Sequence, residues 1–164
     1  MSKVSVLFVC MGNICRSPTA EGVFQHLLRE VGLLEKIRTD SAGTHAYHVG
    51  EPPDSRSAAT AKQRGVDISH LRARQVYPDD FALFDYVLAM DNDNLTRLLN
   101  ACPAEYHHKI RLFLDFAGEH AEEEVPDPYY GGAQGFDHVF DLVEAASRGL
   151  LAEIRRDHDL SNEE

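Results

Sequence analysis

Tryptophan is absent from this chain, and cysteine and methionine occur only three times each among 164 residues. No apolar run approaches the length of a membrane-spanning helix, which sets aside an integral membrane protein. Basic residues are scarce: 16 Lys and Arg stand against 27 Asp and Glu, a formal charge of −11. Such a chain lacks the basic face that nucleic acid requires, so no nucleic-acid partner is expected. Any anion site must be local, because the global field repels anions. The three cysteines, Cys10, Cys15 and Cys102, are an odd set, and Met1 to Val9 has no cleavable secretory pattern. A disulfide framework is therefore not expected, and the expected location is cytoplasmic. Paired histidines occur at His45/His48 and His107/His108, but without ligand-type cysteine or carboxylate spacing they read as surface histidines. No metal and no cofactor are expected.

Length and a 43% apolar content suit one globular domain with its own core. Strand-like runs at Val4–Val9, Ile37–Thr39, Tyr86–Ala89 and Ile110–Leu114 alternate with helical patterns. The helices are expected over Ser17–Val31, Ser55–Arg64, Asn92–Asn100 and about Gly135–Arg156. This alternation predicts an α/β, three-layer arrangement, a parallel sheet with helices on both faces. Ligands in such folds bind beyond the carboxyl ends of the strands.

The chemistry concentrates where the first strand gives way to the first helix. There the chain reads Cys10-Met11-Gly12-Asn13-Ile14-Cys15-Arg16-Ser17-Pro18. Ser17 is expected as the N-cap, with Pro18 at the first helical position. Unpaired amides at a helix start favour anions, and a loop curling into that start adds a nest of N–H groups. Gly12 is expected to supply positive φ, which Asn13 also tolerates. Arg16 offers a planar fork for two phosphate oxygens. A thiol placed there, beside a guanidinium and a hydroxyl, is expected to react as a thiolate. Attack of Cys10 on phosphorus follows as the natural reaction. The competing reading of Cys10 alone is a small apolar core residue.

The motif resembles the signature of the low-molecular-weight protein tyrosine phosphatases, Cys-x5-Arg-Ser/Thr near the amino terminus. Asp127-Pro128-Tyr129-Tyr130 is similar to the family's second signature, and Asp40-Ser41-Ala42-Gly43 and Met90-Asp91 with Asn94 also match. The resemblance spans nearly the whole chain. It implies a four-stranded sheet, a phosphate-binding loop from Met11 to Ser17, and hydrolysis of protein phosphotyrosine and small aryl phosphates through phosphocysteine. Cys10 would be the nucleophile, Arg16 the phosphate clamp and Asp127 the general acid and base. Asn13, Ser17 and Ser41 would support the loop, and Tyr47, Tyr129 and Tyr130 would wall the substrate slot. Residues 1–164 would form a single phosphatase domain with a flexible acidic tail from about Asp157. Phosphotyrosine proteins would be substrates, inorganic phosphate both product and inhibitor, and the chain a monomer or weak homodimer.

Some readings stay open. Glu122-Glu123-Glu124 would favour a protonated Asp127 if the charges approach. Cys15 either traps an oxidised Cys10 as a disulfide or packs beneath the loop. His70 is a candidate structural histidine, although Leu71 intervenes before Arg72-Ala73-Arg74. An arsenate reductase on the same fold is the nearest alternative, but residues 70–95 hold no relay cysteine. A non-catalytic phosphotyrosine binder is the alternative of another class. A nucleotide-binding module fits poorly, because no Gly-Lys-Ser/Thr follows the glycine.

Overall fold

A computed structural model describes residues 4–118, 122–128 and 133–160. Its four strands are β1 (Val4–Cys10), β2 (Ile37–Gly43), β3 (Tyr86–Ala89) and β4 (Ile110–Leu112). All pair in parallel in the order β2-β1-β3-β4. The helices are α1 (Arg16–Glu30), α2 (Ser55–Gln63), α3 (Asp80–Leu83), α4 (Asn92–Ala101) and α5 (Ala133–Asp157). The expected α/β architecture is thus what forms, with β1 central.

Alternation along β1 explains the two apolar layers. Val4, Val6, Phe8 and Cys10 join one core with Phe24 and Leu28 of α1 and Val143 and Leu150 of α5. Leu7 and Val9 join another with Phe81, Phe84 and Leu98. Successive strand residues face opposite layers, so a strand covered on both sides must be apolar throughout. In the first core Phe8 meets Phe24 and Phe113 edge-on, with centroids 5.7 and 5.2 Å away. Each such aromatic pair adds about 1 kcal/mol beyond simple burial.

Boundaries depart from the sequence expectation where pairing overrides propensity. β2 runs on through Asp40-Ser41-Ala42-Gly43 because Leu7, Phe8, Val9 and Cys10 supply ladder partners. β4 stops at Leu112 instead of Leu114, and Phe113–Ala117 form a 3-10 turn that puts Phe113 into the core. The short α3 and a 3-10 segment at Ala104–Lys109 carry no long apolar period and were not expected. Asp157, where the acidic carboxyl-terminal tail is expected to begin, ends α5, and Leu160 is buried in the core. Among the described residues, no helix is long and apolar enough to cross a membrane.

One glycine carries a large expected effect. A Cβ on Gly149 of α5 would lie 1.7 Å from the Phe116 carbonyl oxygen. That contact is backbone against backbone, so neither side can swing away. Gly149→Ala is expected to destabilise the fold by about 3 kcal/mol. Urea unfolding reads this directly; a midpoint equal to that of the unsubstituted chain would show that α5 shifts freely.

Candidate active site

β1 delivers Cys10 to the carboxyl edge of the sheet, and α1 begins six residues later at Arg16. The loop between them is held from outside by its carbonyls. Cys10 O accepts from Thr44 N at 2.9 Å, Met11 O from His45 N at 3.0 Å and Ile14 O from Asp54 N at 2.8 Å. Across a trans peptide the next N–H points opposite to each carbonyl, so the amides of Met11, Gly12 and Cys15 face away from Thr44, His45 and Asp54. The anion nest expected from the sequence would be formed by these N–H groups.

Two local expectations need correction. Gly12 does not take positive φ; among loop residues Asn13 does, at φ 60°. A Cβ on Gly12 would come within 2.9 Å of the His48 ring, which would have to shift to admit it. Ser17 is not the helix N-cap either. Cys15 occupies that position without a side-chain cap, and the Ser17 hydroxyl turns to Cys10 Sγ at 3.0 Å. The hydroxyl is drawn from capping because the thiol and Asn13 offer it two partners within the buried loop. Gly43 permits the close approach of β2, since a Cβ there would lie 2.7 Å from Met11 O.

Donors converge on the sulfur. Asn13 N–H reaches Cys10 Sγ at 3.3 Å, and Asn13 Nδ2 donates to both Ser17 Oγ (2.8 Å) and Ser41 Oγ (3.0 Å). Asn13, Ser17 and Ser41 therefore meet as the sequence reading placed them. Arg16 is 3% exposed. Its Nη1 donates to Asp91 Oδ2 at 2.6 Å and to Val125 O at 3.1 Å, while Nη2 lies 3.7 Å from Asp127 Oδ2. Burial works against its charge, but Cys10, the Asp91 hydrogen bond and the carboxylates of Asp91 and Asp127 hold its pKa above the ordinary arginine value. The guanidinium stays ionised.

Asp127 reaches the site on a segment stitched to the turn between β3 and α4. Val125 N donates to Met90 O at 2.7 Å, and Glu124 accepts from Asn92 N at 2.7 Å. Glu122 pairs with His138 of α5 at 2.7 Å. Two of the three glutamates thus anchor the segment to α4 and α5. Cys10, Met11, Gly12, Ile14, Cys15, Arg16, Tyr47, His48 and Asp127 line a pocket of about 290 Å³. Tyr47 stands at its rim, 68% exposed and stacked on His45 with centroids 4.9 Å apart. Tyr129 and Tyr130 lie outside the described residues.

Several neighbours were given no role by sequence reading. Asp91 both caps α4, accepting from Asn94 N at 2.8 Å, and anchors Arg16. Its position just past the β3 carboxyl end, beside β1, was the available signal. His48 overhangs Gly12, and Arg74 N–H donates to Asn13 Oδ1 at 3.0 Å. Glu21, buried on α1, accepts from Ser41 Oγ. An acidic residue three before Phe24 on the apolar helix face was its sequence signal. His70 is exposed and does not line the pocket; Leu71 packs against the core instead. Cys15 is a buried free thiol whose pKa burial pushes up to about 12, against a lowering bond with Ser57. Cys102 is likewise buried, and its pKa is raised. Among the described residues, no three His, Cys, Asp or Glu side chains are grouped to hold a metal ion.

The comparisons with known proteins agree with this geometry. Residues 5–160 match the family model for low molecular weight phosphotyrosine protein phosphatase. The Bacillus subtilis low molecular weight protein-tyrosine-phosphatase YfkJ is 39% identical over 96% of this chain and 99% of its own. The human low molecular weight phosphotyrosine protein phosphatase is 41% identical over 90% and 93%. A crystal structure of a protein tyrosine phosphatase from Entamoeba histolytica, with Hepes in its active site, superposes at TM-score 0.91 and 44% identity. That match covers 96% of this chain and all of that one. With the anion loop, the guanidinium and the facing carboxyl in one pocket, the chain belongs to the low molecular weight phosphotyrosine protein phosphatase family.

Proposed function

We propose that this chain hydrolyses protein phosphotyrosine and small aryl phosphates through a phosphocysteine on Cys10. One observation carries the reading: Cys10 Sγ, the Arg16 fork and the Asp127 carboxyl share a pocket, with the Asn13 N–H aimed at the sulfur. In the first step the Cys10 thiolate forms the S–P bond as the P–O bond to the phenol breaks, and protonated Asp127 gives its proton to the leaving oxygen. Arg16 and the loop amides bind the equatorial oxygens and balance their charge. In the second step water attacks phosphorus, the carboxylate of Asp127 takes its proton, and the S–P bond breaks to return thiolate and inorganic phosphate.

The phosphate released is also expected to inhibit, since it fits the same loop. Tyr47 at the rim suits a flat ring whose phosphate reaches down to the sulfur, and Tyr129 and Tyr130 are proposed to complete that wall. The remaining assignments belong to the same reading: a single catalytic domain, a cytoplasmic setting, a monomer or weak dimer, and redox sensitivity at Cys10 through Cys15. The two thiols share one loop, which supports the last of these.

Leaving-group dependence tests the acid. Asp127→Ala is expected to lower kcat on phenyl phosphate by about 10²–10⁴-fold. On p-nitrophenyl phosphate, whose anion leaves without a proton, the loss should be far smaller. Equal losses on both would remove Asp127 from the acid role. The wild-type reaction is run with a chelator present, and hydrolysis that stops there would overturn the metal-independent scheme.

A further inference from the structure

A buried chain of hydrogen bonds leads from the nucleophile to a carboxyl group that the reaction scheme does not use. Glu21 of α1 is 6% exposed, and its Oε1 accepts from Ser41 Oγ at 2.6 Å. Ser41 Oγ accepts one Asn13 Nδ2 hydrogen at 3.0 Å, Ser17 Oγ accepts the other at 2.8 Å, and Ser17 Oγ lies 3.0 Å from Cys10 Sγ. Chemistry sets the direction of the links around Asn13. Arg74 N–H donates to Asn13 Oδ1, which fixes the amide's orientation. An amide nitrogen only donates, so both hydroxyls accept from it. The Ser41 hydroxyl donates to Glu21, and the Ser17 hydroxyl donates to Cys10 when the sulfur is a thiolate.

We propose that Glu21 is a positioning residue of the anion site: through Ser41 and Asn13 it holds the Ser17 hydroxyl on the Cys10 sulfur, and its own protonation is coupled to anion binding in the loop. This rests on reading the loop as the oxyanion site of the phosphatase. Asn13 sits in the left-handed region at φ 60°, so its backbone needs such a tether. The groups facing Glu21 are few. Gln25 Nε2 of its own helix lies 3.3 Å from Oε2, and Asp40 and Ser41 approach from β2. Arg74 approaches from the segment before α3, its guanidinium shared between Asp40 and Asp80. Burial pushes the carboxyl pKa up to about 7; the Ser41 hydrogen bond opposes this, Asp40 adds to it and Arg74 subtracts. His70 and Leu71 supply no counter-charge there, the first being exposed and the second packed on the core.

Two acidic charges at the ends of one relay disfavour each other, so a bound dianion favours the protonated form of Glu21, and by linkage the protonated form binds the anion more tightly. Folding follows the same sign. An unperturbed glutamic acid titrates near 4.5, so the folded state loses stability as pH rises from there through about 7.

Sulfate is the probe, a tetrahedral dianion that does not titrate between pH 5 and 9. Its affinity for the wild type and for Glu21→Gln is measured by calorimetry across that range, beside kcat/KM on p-nitrophenyl phosphate. Glutamine keeps an oxygen for Ser41 and carries no charge. The wild type is expected to lose sulfate affinity several-fold through pH 7 relative to Glu21→Gln, and its thermal midpoint to fall against that variant over the same interval. Glu21→Ala, which removes the acceptor, is expected to lose about tenfold in kcat/KM at pH 6, with Glu21→Gln near wild type there. Parallel sulfate profiles for wild type and Glu21→Gln overturn the proposal, whether or not Glu21→Ala folds. A wild type that binds sulfate with this pH dependence yet hydrolyses no aryl phosphate overturns the phosphatase reading and leaves the relay standing.

Discussion

Cys10→Ser is expected to abolish hydrolysis of p-nitrophenyl phosphate while the loop continues to bind oxyanions. The two halves of that result have separate physical origins. Turnover needs an anionic nucleophile, and a serine hydroxyl at this position has no adjacent base: Ser17 Oγ and Asn13 N–H both point donors at it. The loss in kcat should be about 10⁴-fold or more. Binding depends instead on the loop amides and Arg16. The carbonyl bonds to Thr44, His45 and Asp54 and the Asp91 tether do not involve the sulfur. Sulfate affinity should therefore stay within about tenfold of the wild type. Cys15→Ser serves as the control, because its buried thiol stays protonated with a pKa pushed up to about 12 and cannot replace the nucleophile. Residual activity of Cys10→Ser above about one part in 10³ would transfer the nucleophile's role elsewhere.

What was legible in the sequence was what is local in the chain. β1, the loop and α1 lie consecutively, so a β-branched run, a cysteine, an arginine and a helical period could be read together. The parallel sheet followed from the alternation of strands and helices. What escaped depends on partners far along the chain. Asp91 meets Arg16 across 75 positions, Arg74 meets Asn13 across 61, and Ser41 meets Glu21 across 20. No spacing rule reaches so far. The same reason explains Asp40 to Gly43, poor strand formers that extend β2 only because β1 is beside them. Gly12 shows a subtler limit: the residue type was read as a turn element, whereas its close neighbour, the His48 ring, arrives from the next loop.

Arg16→Lys tests whether the site needs a charge or a fork, and it is expected to fail nearly as completely as the cysteine variant. The guanidinium does two jobs at once. Nη1 is committed to Asp91 Oδ2 and to Val125 O, which leaves the other edge of the plane for the anion. A lysine ammonium is one point with rotatable donors. If it stays with Asp91 it withdraws from the phosphate, and if it turns to the phosphate it leaves Asp91 and the Val125 carbonyl without their donor. The second arrangement also loosens the 122–128 segment, because Val125 and Asp127 lie on it. Both outcomes damage the transition state more than the ground state, since bidentate contact matters most as charge spreads over the equatorial oxygens. The expected loss in kcat/KM is about 10³-fold or more, with phosphate inhibition weakened and the fall carried mainly by kcat. Single-turnover measurement separates the two. A lysine variant within tenfold of wild type would show that positive charge alone suffices, and the Asp91 tether would then be structural support for α4 and nothing more.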